Sequence, residues 1–119
     1  MTKEQLKNRT KQFSIDVIRF VRDLPQGREA DVIGKQLLKS ATSVAANYHA
    51  ACRGKSKADF INKINIVEEE ADESLFWLEI ITETKMLLND QNPMLLKEAG
   101  ELTAIFTATG KTSKINNNK

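Results

Sequence analysis

The densest set of chemically capable side chains is Glu68, Glu69, Glu70, Asp72 and Glu73, five carboxylates within six residues. Carboxylates at helical spacing can ligate a di-iron centre, but such centres in bundles also need a Glu-x-x-His pair on each of two helices. His49 is the only histidine, and Ala46 stands three residues before it. The run is therefore read as a solvated face with some members pairing basic residues of a neighbouring helix, and no metal is expected. Cys52 follows His49 by three residues, which puts both on one helical face. That is where a thiolate and its base would sit, yet Cys52 also ends an apolar stripe and is assigned to the core. No Gly-rich phosphate loop, Walker-type motif or dinucleotide fingerprint occurs. No catalytic residue and no cofactor are assigned, and the protein is read as non-enzymatic.

Two polar groupings remain. Ser40, Ser43 and Asn47 recur at spacings of three and four, so they share one helical face. Asparagine is a poor helix former and needs a hydrogen-bonding reason in mid-helix. The expected reason is a contact with the next helix, to a carboxylate such as Glu69 or Glu70. The second grouping is basic. Arg53, Lys55, Lys57 and Lys63 crowd one predicted turn, and Arg19 and Arg22 belong to a first helix that also carries Lys7, Arg9 and Lys11. Lys/Arg sets of this kind neutralise phosphates without reading sequence. The alternative is a solvated helix surface. Tyr48 is the only tyrosine and aromatics are 6% of the chain, so stacking on single-stranded bases has little to build on.

The elements that must position these residues are all helical. Thr2 and Gln5 have the form of a capping box, and Leu6, Thr10, Phe13, Val17, Phe20 and Leu24 make one stripe of a helix from Lys3 to Leu24. Leu24-Pro25-Gln26-Gly27 ends it. A second helix spans Ala30 to Cys52, with the stripe Ile33, Leu37, Ala41, Val44 and Tyr48, and small residues concentrated from Ser40 to Ala51. Ser56 is placed to cap a third helix, from Lys57 to Leu88. That helix carries Phe60, Ile64, Val67, Ala71, Ser74, Leu78 and Ile81 on one face, and Ile66, Phe76, Ile80 and Leu87 on another, with Trp77 between. A helix in a monomeric bundle has one apolar stripe, so the second predicts a subunit interface. Asn92-Pro93 opens a fourth helix, striped by Leu95, Ala99, Leu102, Phe106 and Thr109 and closed by Gly110. Residues 1–110 thus form one domain, an all-α, up-down-up-down four-helix bundle, and 111–119 a disordered basic tail.

The 119 residues, 40% hydrophobic and 29% charged, suit one globular core. A single cysteine allows no internal disulfide and fits a reducing compartment. No apolar run suggests a signal peptide or a membrane span, so a soluble, cytoplasmic protein without a membrane partner is expected. The net charge of +2 is unevenly spread: Met1 to Lys63 holds 13 Lys/Arg against 6 Asp/Glu, and the remainder 5 against 10. Such asymmetry points the basic half at a polyanion, unless the halves neutralise one another in the fold.

The segments Leu24-Pro25-Gln26-Gly27, Gln36 to Tyr48, Ser56 to Lys63 and Glu70 to Glu79 together resemble the 23S rRNA intervening-sequence proteins, also called the four-helix bundle protein family. The resemblance runs from Val17 to Leu88. It implies a four-helix bundle protomer in a homopentamer, helices side by side around a central axis, and an uncertain function. Some relatives are encoded within insertions in ribosomal RNA genes, and a related bundle is an accessory factor of retroelement reverse transcriptases, a resemblance that implies nucleic-acid contact by basic surfaces. Members that share the Asn-Tyr pair often continue Arg-Glu-Ala, whereas this chain has His49-Ala50-Ala51. Ser43 and Asn47 carry over as family-pattern positions with a structural role. The sequence therefore leads to a homo-oligomer that binds structured RNA or another polyanion, the alternative being a protein-interaction scaffold with no nucleic-acid partner.

Overall fold

The computed structural model describes residues 1–117. Helices α1 (Lys3–Arg22), α2 (Arg28–Cys52), α3 (Lys57–Glu83) and α4 (Gln91–Asn117) follow one another along the chain. Each packs against its sequence neighbours and α1 closes on α4, giving an up-down-up-down bundle 51 × 21 × 21 Å in extent. No strand occurs among the described residues, and none of their helices is long and apolar enough to cross a membrane.

The helix starts follow local chemistry. Thr2 accepts from the Gln5 backbone N–H at 3.1 Å while the Gln5 side chain accepts from Thr2 N–H at 2.9 Å, completing the capping box. Ser56 caps α3 by accepting from Asp59 N–H at 3.1 Å. Helix α2 begins two residues earlier than its apolar pattern indicates, after Gly27 at φ 154°, a conformation that favours glycine. Glu29 and Asp31 in its first turn complement the positive helix end in place of a side-chain cap.

Three boundaries correct the sequence reading. Helix α3 stops at Glu83, not Leu88, because Lys85 takes φ 58° and reverses the chain. The Lys85 N–H then donates to Thr82 O at 3.1 Å and the Met86 N–H to Ile81 O at 3.0 Å, a Schellman pair built without glycine. Asn92 is not the fourth helix's cap. It is buried, donates to Thr82 Oγ1 and Leu87 O, and accepts from Asn89 N–H, so it ties the α3–α4 turn to the end of α3. Asn89 is the residue that accepts from Gln91 N–H at 2.7 Å. At the far end, α4 runs through Gly110 to Asn117. Gly110 is buried beside Ile64, Asn65 and Glu68 of α3, where a Cβ would make ordinary contacts at 3.6–3.9 Å, and one mid-helix glycine costs only about 1 kcal/mol. The part of the expected tail within the described residues is thus helical, while 118–119 lie outside them.

The core holds the predicted stripes: Phe13, Val17 and Phe20 of α1, Leu37, Val44 and Tyr48 of α2, Ile64, Val67 and Leu78 of α3, and Leu95, Leu102 and Phe106 of α4. Gly34 of α2 has a packing role as well, since a Cβ there would meet Leu24 Cδ1 at 2.9 Å. The α1–α4 seam is the looser one. A groove of 660 Å³ opens along it, bridged by Arg9, which grips Glu98 with two 2.7 Å hydrogen bonds and reaches Glu101 at 3.3 Å.

Candidate nucleic-acid interface

The topology sorts the basic residues by end of the bundle. The α2–α3 turn shares its end with the start of α1 and the close of α4. Arg53, Lys55 and Lys57 are exposed there, and Lys63 is half-buried one turn and a half into α3. None of the four makes an ion pair with a described residue. Arg19 and Arg22 lie elsewhere. They belong to the last turn of α1, roughly 28 Å of helix away from Lys3 at 1.5 Å per residue. Asp16 and Asp23 flank Arg19 in a shallow recess with Gln91. The structure therefore brings together the turn quartet and separates it from the other two candidates.

It also adds cations that the linear sequence hides. Lys3 extends its ammonium over the Phe60 ring, 5.8 Å from the centroid, fastening the start of α1 to the first turn of α3. Lys7 and Lys11 flank a second recess together with Ala45, Ala46 and His49 of α2. Lys111 and Lys114, expected in a tail, stand exposed on the last turns of α4 instead. Three segments far apart in the chain thus converge. Their convergence was deducible from the up-down topology, but no local motif announces it.

The polar face of α2 is mostly structural. Ser40 Oγ and Ser74 Oγ lie 2.9 Å apart in the α2–α3 contact, both fully buried. Asn47 turns inward along its own helix, donating to Ser43 Oγ at 2.7 Å and Ser43 O at 3.0 Å rather than to α3. Ser43 lies near Glu70 across the α2–α3 contact and favours its charged form. Burial pushes the Glu70 carboxyl above its ordinary range, and Glu73 and Glu69 add to the rise against Lys39 and Ser43.

His49 and Cys52 part company. His49 is exposed, whereas Cys52 is half-buried against the core beside the Tyr48 hydroxyl. Burial chiefly, and Cys52 next, raise the tyrosine pKa. Among the described residues no group of three His, Cys, Asp or Glu is placed to hold a metal ion.

The second apolar face of α3 is real but shorter than its sequence suggests. Phe76 is 51% exposed and Ile66 38%, with Ile80 and Trp77 half-buried. Leu87 does not extend this face. With α3 ended at Glu83, it falls in the turn and packs on the core. Phe76 and Trp77 meet edge to face at 4.9 Å, and Trp77 Nε1 is buried without a hydrogen-bond partner.

Comparison with known proteins follows the same lines. The 23S rRNA-intervening sequence protein family matches residues 2–108. A crystal structure of a protein with unknown function from the S23 ribosomal protein family, from Bacteroides thetaiotaomicron, superposes with a TM-score of 0.83. It is 30% identical over 93% of this chain and 99% of that one. No curated protein matches.

Proposed function

The chain belongs to the 23S rRNA-intervening sequence protein family, and on that premise we propose that it is a non-enzymatic, homo-oligomeric module that binds structured RNA or another polyanion through basic surfaces. One observation carries the reading: Arg53, Lys55, Lys57 and Lys63 gather at a single turn without a carboxylate partner among the described residues. Cations without a carboxylate partner are free to neutralise phosphates, and the counterions condensed on those phosphates are then released, which favours binding. The family resemblance adds the homopentamer, which would present each basic surface five times and convert weak contacts into avidity. A cytoplasmic location suits a protein with one thiol and an RNA partner.

Fluorescence anisotropy with a labelled hairpin RNA across a salt series tests it. The expected result is a log affinity that falls linearly with log salt, and a shallower slope when the four residues are replaced by alanine. Absence of binding at low salt, where electrostatic attraction is strongest, would overturn the reading. The alternative, a scaffold for a protein partner, draws on the exposed Phe76 face, and it would then be the one to pursue.

A further inference from the structure

Charge in this bundle is sorted along its long axis. Three segments meet at the α2–α3 turn end: residues 1–12, residues 49–65, and residues 105–117 at the close of α4. Together they hold ten Lys/Arg and two Asp/Glu, Glu4 and Asp59. The other described residues hold seven Lys/Arg and fourteen Asp/Glu. Arg9 is engaged by Glu98 and Glu101 along the α1–α4 seam, and Glu4 comes within 3.8 Å of Lys7. Most of the remaining cations are exposed, and although Glu68 stands beside Gly110 at its margin, this end is positive while the other described residues are net negative.

The aromatic residues are sorted the other way. At the basic end Tyr48 is buried against Phe106, ring centroids 5.3 Å apart, and Phe60 is half-buried beneath Lys3. The exposed ring is Phe76, with Trp77 beside it, and these lie about 28 Å along α3 from its first residue. Single-strand binders combine a basic groove with stacking rings. Here the cations have no ring beside them to receive a base, so what they can grip is a phosphate backbone.

Building on the polyanion reading above, we infer that the partner is a double-helical nucleic acid docked end-on, its backbone laid across the end formed by the start of α1, the α2–α3 turn and the close of α4. The net negative remainder repels the same backbone, which fixes the orientation. An end 21 Å across spans about six base pairs of a B-form duplex at a rise of 3.4 Å, and somewhat more of the shorter-rise A-form that RNA adopts. Lys3, Lys111 and Lys114 are then phosphate contacts equal in kind to Arg53 and Lys55, while Arg19 and Arg22 are bystanders.

The test uses the full chain, a fully paired RNA hairpin and an unpaired RNA with the same number of phosphates, in anisotropy across a salt series. Three proteins are compared: wild type, K3Q/K111Q/K114Q, and R19Q/R22Q. Circular dichroism first confirms equal helicity, and K111E/K114E replaces the triple variant if Lys3 proves necessary for folding. The expected result is at least fivefold tighter binding to the hairpin than to the unpaired strand. The triple variant should weaken hairpin binding and make the salt slope shallower by up to about three, near one per phosphate contact, with R19Q/R22Q within twofold of wild type. Binding that is lost with R19Q/R22Q but kept in the triple variant would overturn end-on docking, and tighter binding to the unpaired strand would overturn the double-helical partner. Either leaves the polyanion reading standing. Failure of wild type to bind both RNAs at low salt would overturn both.

Discussion

Glu70 carries the charge least suited to its surroundings. Burial, Glu73 and Glu69 all raise its pKa. The native state therefore holds the Glu70 proton more tightly than the unfolded chain does. Its contribution to stability is present at low pH and lost as pH rises from the ordinary carboxylate value through the raised one. Glu70→Gln keeps the length and a polar end near Ser43 while removing the charge. The variant should be more stable than wild type at neutral pH by roughly 0.5 kcal/mol or less, with the difference closing below about pH 4. Urea midpoints at the two pH values measure this, and a variant no more stable at neutral pH would refute it. The spacing of Ser40, Ser43 and Asn47 revealed a polar face. It did not reveal that Asn47 would spend its amide on Ser43, because rotamer choice depends on the space α3 leaves.

At the scale of elements, stripes were easy to read and ends were not. Helix stripes follow from a period that any burial pattern imposes. The end of α3 depends on Lys85 adopting a left-handed backbone at φ 58°, which no residue type in the Glu83–Asp90 run signals. A non-glycine residue there is strained by about 1 kcal/mol, part of which returns if glycine increases the freedom of the unfolded chain. Lys85→Gly should therefore stabilise the protein by about 0.5 kcal/mol, seen as a later urea midpoint at unchanged slope. An earlier midpoint would mean that Lys85 does more for the turn than its backbone costs. Gly110 is the converse case, a familiar stop signal that lies buried inside a helix beside Ile64 of α3.

For the whole molecule, the face of α3 bearing Ile66 and Phe76 is the decisive feature. It leaves a large ring half in water, a cost that a neighbouring subunit would remove. Phe76→Glu should dissociate the proposed homo-oligomer, shifting the light-scattering mass from a multiple of the 13.4 kDa chain toward 13.4 kDa. A monomeric wild type would remove the basis of this prediction.

The helices, their order and the residues of the core are legible along the chain, because they follow from periodicity, capping and short turns acting within a few residues. The sequence also shows that charge is unequally divided between the halves of the chain. Where that charge goes is settled by the packing of the helices. Folding places the ends of three distant segments side by side, so Lys3, Lys111 and Lys114 join the turn quartet while Arg19 and Arg22 are carried to the opposite end. Arg9, read as one more basic residue of α1, becomes the grip on Glu98 and Glu101. Charge acts through space over about 10 Å, and nearness in space between distant parts of a chain is set by the fold.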